Sequence, residues 1–378
     1  MTKLLRILHI YKDYFPVLGG IENHIKVLAE AQAAQGHDVT VLVANPQRHT
    51  VIENVNGVRL VKTARWATAA STPISPAMYY WTARLEADVT HLHFPHPPGE
   101  IANLLFGRPK RTVITYHSDI VRQRVLRILY RPLLWQVLRH ADRLIATSPI
   151  YIKSSPQLCH FRDKCAVVPL GVDMQRFTQV EPARVEALRL KWLARSNHPA
   201  LLLFVGRLRY YKGLDDLLRA LPHIPTAHLL VVGDGPMRST WEHLTRELDL
   251  SERVTFAGEV DDADLPACYQ LGHVFVLPAN ARAEAFGTVL IEAMSAGLPI
   301  VCTEVGSGTS WVNQHGITGL VVPPRDSTSL AGAVNSILSD PIRRAAMGHA
   351  ARQRALAEFS QETMVSRVEQ IYWDVLNA

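Results

Sequence analysis

The stretch Arg282–Pro299, RAEAFGTVLIEAMSAGLP, lies between two apolar runs, HVFVLP (His273–Pro278) and LPIVC (Leu298–Cys302). Its pattern is that of a strand, a loop carrying Glu284, a helix opening at Phe286–Gly287, and a stop at Ala296–Gly297 before the next strand. Two carboxylates, Glu284 and Glu292, bracket the helix start with seven residues between them. The first turn of a helix has backbone N–H groups without helical partners, and the helix dipole is positive there, so it suits an anion. Carboxylates beside it accept from hydroxyl groups. The combination points to a ligand with both phosphates and sugar hydroxyls.

The same alternation extends outward in both directions. Strands are expected at Leu4–Ile10, Asp38–Ala44, Val58–Lys62, Asp88–His93, Arg111–Tyr116, Asp142–Thr147 and Lys164–Leu170, with helices at Ile21–Gln35 and Val121–His140. GVDMQRFTQVEP (Gly171–Pro182) breaks the pattern and reads as a linker. After it come strands Ala200–Val205, Ala227–Val232 and Arg253–Phe256, helices Tyr211–Leu221 and Pro236–Leu248, and a short helix near Asp262–Gln270. Strand Leu320–Val322 and helices Ser327–Leu338, Pro341–Ala357 and Gln361–Leu376 complete the chain. Such βαβ alternation predicts an α/β protein with two doubly wound parallel sheets, helices on both faces, and a cleft between them. In such sheets ligands bind beyond the carboxyl ends of strands.

Composition narrows the class. The 378 residues suit two domains, and 48% apolar with 20% charged residues is ordinary for a soluble globular protein. Forty basic against thirty-four acidic residues give a mild +6, compatible with phosphorylated ligands or an anionic membrane surface. Cys159, Cys165, Cys268 and Cys302 show no CxxC spacing and read as free thiols. No apolar run approaches the length of a membrane span, and no signal-peptide pattern is found. The expected location is cytoplasmic, with peripheral contact at the inner face of the membrane left open.

Four further motifs fall after strands. Gly19–Gly20 follow the first strand and open the first helix, where paired glycines allow close backbone approach to a pyrophosphate. Neither GxGxxG nor a Walker loop occurs. In VITYHSD, His117 and Asp119 sit past a strand end; such a histidine can donate to a sugar hydroxyl or orient a reacting group, and a structural histidine is the competing reading. LFVGRLRYYKG places Arg207 and Lys212 five apart at a turn into a helix, where they can embrace a diphosphate, or form a solvated basic turn. Asp262 and Asp264 have a DxD spacing that could hold a cation, but they open a helix, and capping is the expectation. Arg122, Arg124, Arg127 and Arg131 interleave with apolar residues, as on a helix lying against an anionic bilayer or on a surface helix with one buried face. No stacking-aromatic motif accompanies the charge, so nucleic acid is not expected.

In this order and at these distances, GGIE after the first strand, TYHSD, VPLGVD, VGRLRYYKG, VVGDGP and EAFGTVLIEAMSAGLP resemble the family 4 retaining glycosyltransferases, which have the GT-B fold. The resemblance runs from the first strand to the last helix. It implies an N-terminal acceptor-side domain over residues 1–180, a nucleotide-sugar domain over 181–360, and a helix at 361–378 packing back on the first. It implies that Arg207 and Lys212 hold the donor diphosphate, helped by Gly19, Gly20 and the helix start at Phe286–Gly287–Thr288. Glu292 would take the ribose hydroxyls and Glu284 the hexose. His117 would lie near the 6-position of the hexose, and Asp119, Arg122 and Arg124 on the acceptor side.

No cofactor and no metal are implied, since two cations and a helix start can stabilise the leaving diphosphate. The implied partners are a nucleotide sugar, with a GDP-sugar such as GDP-mannose first and a UDP-hexose second, and a lipid-linked or saccharide acceptor. Two departures are visible. Ala285 stands where the family often has glycine, and its methyl group would narrow the sugar pocket. EVGSGTSWVNQHGITG resembles the version in bacterial transferases that build O-antigen and other surface polysaccharides. An epimerase or glycoside phosphorylase on the same fold, or an inactive nucleotide- or glycan-binding subunit, is the alternative.

Overall fold

The computed structural model describes the chain except residues 1–3, 16, 18, 70, 71, 120–123 and 195; over residues 124–129 it describes the backbone alone. The chain divides into two compact units, Met1–Gly171 with Glu362–Ala378, and Val172–Gln361.

The first unit contains strands β1 (Arg6–Ile10), β2 (Asp38–Ala44), β3 (Val51–Val55), β4 (Val58–Thr63), β5 (Ala67–Ala69), β6 (Thr72–Ile74), β7 (Val89–Phe94), β8 (Arg111–Tyr116), β9 (Arg143–Ala146) and β10 (Cys165–Val167). Eight of them form one sheet in the order β10-β9-β8-β7-β1-β2-β4-β3, and β5 pairs with β6. The sheet is parallel except at its edge, where β3 and β4 form an antiparallel hairpin. The sequence reading missed β3. Asn56 and Gly57 both have positive φ, 52° and 82°, and the primed turn they make matches the twist of a two-residue hairpin.

One face of this sheet is covered by the helices Gly20–Ala34 and Gln361–Asn377. Their Ile25, Leu28, Met364, Val368 and Tyr372 pack on Ile7, Val89, Val113 and Ile145 of the strands. The last seventeen-residue helix therefore completes the core of a unit whose other residues precede it by nearly two hundred positions.

The second unit is a six-stranded, wholly parallel sheet. Its strands are β11 (Ala200–Val205), β12 (Ala227–Val232), β13 (Val254–Gly258), β14 (Val274–Leu277), β15 (Ile300–Thr303) and β16 (Gly319–Val322), in the order β13-β12-β11-β14-β15-β16. The stretch expected to be a linker is structured. Asp173 caps the helix Met174–Thr178 by accepting from the Gln175 N–H, and Phe177 is buried against Tyr269. Proline at its first turn then starts the helix Pro182–Leu193. The helix expected at Tyr211–Leu221 is split by Gly213 into a 3₁₀ turn, Tyr210–Lys212, and a helix, Leu214–Ala220.

In each sheet the strand order reverses once beside the unit's first strand, at β1/β7 and at β11/β14. Connections leave such neighbouring strands toward opposite faces, which opens a crevice at their carboxyl ends. No helix among the described residues is long and apolar enough to cross a membrane.

The last helix gives a direct test of this packing. Met364 is 2% exposed, so Met364→Ala should destabilise the first unit by about 2–5 kcal/mol. Calorimetry should show one transition moving down while that of the second unit stays in place.

Candidate active site

In the second unit, β11 and β14 lie side by side, and their following loops carry the charged residues singled out from the sequence. Lys212 ends the 3₁₀ turn after β11, and Glu284 lies in the loop after β14. The loops are tied together where the Asn280 N–H donates to the Tyr211 carbonyl at 2.9 Å. Gly213 presses against the Pro278 carbonyl, where a side chain would overlap it. Lys212 Nζ and Glu284 Oε2 stand 2.7 Å apart, each side chain 9% exposed. The pair is close but poorly aligned for a hydrogen bond. Removing one partner would strand a charge in a poorly solvated site, which is far more destabilising than losing a surface pair.

Arg207, also after β11, is exposed. The helix Thr288–Ser295 begins after Gly287, whose φ of 80° turns the chain from the Glu284 loop into the helix. Phe286 is buried beside Trp311 and Phe359. Glu292 lies half-buried on that helix, with Oε2 accepting from the Tyr269 hydroxyl at 2.6 Å. Burial pushes its carboxyl pKa up, against the Tyr269 hydrogen bond and the charges of Arg176 and Lys212.

The Glu284 loop is fixed from behind by the turn after β15. Ser307 Oγ donates to the Glu284 carbonyl at 2.6 Å, the Gly308 N–H donates to the Ala285 carbonyl at 2.8 Å, and Arg282 Nη1 donates to the Gly306 carbonyl at 2.6 Å. Ala285 is half-buried there. Ser307, Gly308 and Tyr269 were not singled out from the sequence. The first two lie in the GSGTS run that marked only a subgroup, and Tyr269 lies in a helix without a motif.

Asp264 occupies the N-cap position of the helix Leu265–Leu271 but makes no capping hydrogen bond, contrary to expectation. Its carboxylate turns to Arg184, and Asp262 pairs with Arg176 at 2.9 Å. An ion pair to a planar guanidinium outweighs one more hydrogen bond to a backbone N–H.

In the first unit, Gly19 holds the N-cap of the helix Gly20–Ala34 in an extended conformation. A side chain at Gly19 would overlap the Glu22 carboxylate, whereas one at Gly20 would meet nothing. The close approach at Gly19 is therefore to the acid of its own GGIE motif. Glu22 is 7% exposed, stands 3.7 Å from Lys12 Nζ, and has its pKa raised by burial.

Asp119 accepts from the Tyr116 hydroxyl at 3.0 Å and from Ser155 Oγ at 2.8 Å, and its N–H donates to the Tyr151 hydroxyl. These bonds make it a brace for the loop after β8. Arg122 lies outside the described residues, and Arg124 is described only as the backbone start of the helix Arg124–His140.

His117 is 5% exposed and belongs to a cluster the sequence reading did not assemble. His9 on β1, His91 and His93 on β7, and His117 past β8 share one face of the sheet. His9 is in register with His91, and His93 with Thr115. That face meets His24 and Gln32 of the first helix and Tyr372 of the last. His9 Nε2 lies 2.8 Å from Gln32 Oε1, His9 Nδ1 lies 3.0 Å from His93 Nε2, and His93 Nδ1 lies 3.2 Å from His117 Nε2. His91 joins the Tyr372 hydroxyl and Thr115 Oγ1, both at 2.6 Å.

His24 has both ring nitrogens buried without a hydrogen-bond partner, and its ring stands edge-on to His117 and His93. Burial lowers the pKa of every one of these rings, to about 4 at His9 and about 3 at His24. The alternation of histidines at 91 and 93 was the available signal.

The comparisons with known proteins agree with this architecture. The model of the glycosyl transferases group 1 matches residues 190–354, and that of Glycosyltransferase Family 4 matches residues 18–176. The D-rhamnosyltransferase WbpZ of Pseudomonas aeruginosa is 38% identical over 353 residues, covering 93% of this chain and 91% of that one. The O-antigen chain mannosyltransferase C of Escherichia coli is 33% identical over 377 residues, covering 99% and 100%. The structure of Anabaena HepE in complex with UDP-glucose matches with a TM-score of 0.79 at 19% identity, over 98% of this chain and 100% of that one. The fold is therefore GT-B. The chain belongs to the family 4, group 1 glycosyltransferases and is an enzyme of that class.

The buried imidazoles give the first unit a definite acid response. His9, His24, His91, His93, His96 and His117 stay neutral in the folded state well below pH 6.5, whereas their unfolded counterparts bind protons there. Stability is then retained above pH 6.5 and falls as pH drops, by about 1.4 kcal/mol per pH unit for each ring that stays neutral. Glu22, with its raised pKa, and Glu100, pushed up to about 7, act in the opposite direction but are outnumbered. Thermal unfolding between pH 7.5 and 5 should show the first unit melting progressively lower. A flat profile would contradict the neutral cluster.

Proposed function

We propose that this glycosyltransferase moves a hexose from a nucleotide sugar to a lipid-linked oligosaccharide or polysaccharide acceptor, with retention and without a metal, in assembly of a cell-surface glycan such as O-antigen. The observation that carries the reading is the buried Lys212–Glu284 pair at the β11/β14 reversal, beside a helix start. A cation and an acceptor-only carboxylate held 2.7 Å apart suit the two ends of one bond, the leaving phosphate and the sugar that leaves it.

In this reading Lys212 and Arg207 hold the diphosphate, with the Gly287–Thr288 helix start and the Gly19–Gly20 backbone assisting. Glu284 takes hexose hydroxyls, and Glu292, steadied by Tyr269, takes the ribose. His117 meets the hexose near its 6-position, and the segment around Asp119 serves the acceptor. Asp262 and Asp264, the DxD pair, are each committed to an arginine and play no part. The bond from the anomeric carbon to phosphate oxygen breaks as the acceptor oxygen bonds on the same face, and the acceptor proton passes to the leaving phosphate. The developing charge on that phosphate is what the cations stabilise. A GDP-linked donor is favoured, because the relatives are named for D-rhamnose and mannose, which share the manno configuration.

Two experiments test this. Lys212→Ala and Glu284→Gln should each lower kcat/KM by about 10²–10³-fold, with glutamine chosen to keep the volume of Glu284. Wild-type turnover in either would sink the assignment. A melting-curve panel of GDP-, UDP- and ADP-sugars should show the GDP-sugars raising stability most, by about 2.7 kcal/mol at a hundredfold excess over Kd. A larger shift with UDP-sugars would overturn the donor choice alone.

A further inference from the structure

The histidine chain in the first unit does more than fill the core. Its three contacts, Gln32–His9, His9–His93 and His93–His117, span 2.8, 3.0 and 3.2 Å, and each needs one N–H and one lone pair. The Gln32 carbonyl oxygen can only accept, so His9 carries its proton on Nε2 and leaves Nδ1 bare. His93 must then donate from Nε2, which leaves its own Nδ1 bare, and His117 must donate from Nε2 in turn. The oxygen of the Gln32 amide is the atom that faces His9 Nε2, at 2.8 Å, and its nitrogen is buried without a hydrogen-bond partner. At the far end His117 Nδ1 is left as an unprotonated lone pair, and it makes no hydrogen bond among the described residues.

We propose that Gln32, acting through His9 and His93, fixes the tautomer of His117 so that the ring offers an acceptor nitrogen rather than an N–H. Gln32, His9 and His93 are thus positioning residues for the hydroxyl that His117 meets. This rests on the reading above, in which that hydroxyl belongs to the transferred hexose.

The chemistry of the chain end matters. A carboxylate in place of Gln32 would draw a second proton onto His9, whose Nδ1–H would then have to donate to His93. His93 would in turn donate to His117, and the order of the whole chain would reverse. A neutral amide cannot do this. The groups packed around the three rings are His24 from the first helix, His91 from β7 and Tyr11 beyond β1, with Tyr372 of the last helix bonded to His91 behind them. No carboxylate or ammonium group contacts them among the described residues. The chain therefore keeps His117 neutral, with a bare lone pair offered to the hexose near its 6-position.

The test uses the full chain with ring-¹⁵N-labelled histidine, signals being assigned by single replacement of His9, His93 and His117. In the wild type all three rings should report a protonated Nε2 and a bare Nδ1. Gln32→Glu should switch His93 and His117 to Nδ1–H and lower kcat at least tenfold, with donor KM within twofold. Gln32→Met, which removes the acceptor without adding charge, should give mixed tautomers and a smaller loss of kcat, and it serves if the glutamate variant does not fold. A wild-type His117 protonated on Nδ1, or a tautomer switch with unchanged kcat, overturns the proposal. The tautomers are read without substrate, so a wild-type protein that transfers no sugar but shows the Nε2–H order refutes the functional reading and not the relay.

Discussion

Parallel strands covered on both faces leave polar side chains almost no place but their carboxyl ends, and this constraint shapes both units. The six strands of the second unit are apolar almost throughout, and its charged residues of interest follow β11 and β14 in the loops. Those two strands are neighbours only because the strand order reverses between them. Were β14 to join the other edge of the sheet, Lys212 and Glu284 would lie far apart and neither could be buried. Topology therefore comes before charge: the reversal makes the crevice, and the crevice allows an ion pair to be desolvated without loss of its partner.

The two units meet the same constraint differently. The second holds charge, and braces it with the turn Gly306–Gly308 and the Tyr269 hydroxyl. The first carries polar groups into the interior of the sheet, with histidines on the strands themselves. An uncharged imidazole is tolerable there because each nitrogen can be paired, and in the chain from Gln32 to His117 nearly all are. His24 departs furthest, with neither ring nitrogen paired. Its edge-on contacts with two neighbouring rings are weak substitutes for hydrogen bonds.

Most of this architecture is legible in the sequence, and its gaps have identifiable causes. The buried parallel strands announce themselves as continuous apolar runs, so Asp38–Ala44, Arg111–Tyr116, Ala200–Val205 and Ala227–Val232 match to the residue. The β3–β4 hairpin was missed because VIENV alternates weakly at an exposed edge, although Asn56–Gly57 marks the turn. The helix Met174–Thr178 was missed because five residues give no periodicity; the Asp173 cap, the Gln270 side chain on the Phe177 carbonyl and burial against Tyr269 hold it. The candidates Glu284, Glu292, Lys212 and His117 were singled out by motif. Their partners were not, because Tyr269, Ser307 and Gln32 act through distances that no linear pattern encodes.

Ala285 shows how such partners bear on specificity. As a lone departure from a glycine-containing motif, it suggested a methyl group crowding a sugar pocket. The fold places its carbonyl under the Gly308 N–H and the Glu284 carbonyl under Ser307, so the backbone on either side of that methyl is pinned. A pinned backbone cannot retreat to make room. In the proposed reading, where that methyl borders the sugar, it would be a fixed wall rather than a soft one, held by GSGTS after β15. In the proposed reaction, the cations beside that pinned loop meet the negative charge that the breaking bond leaves on phosphate.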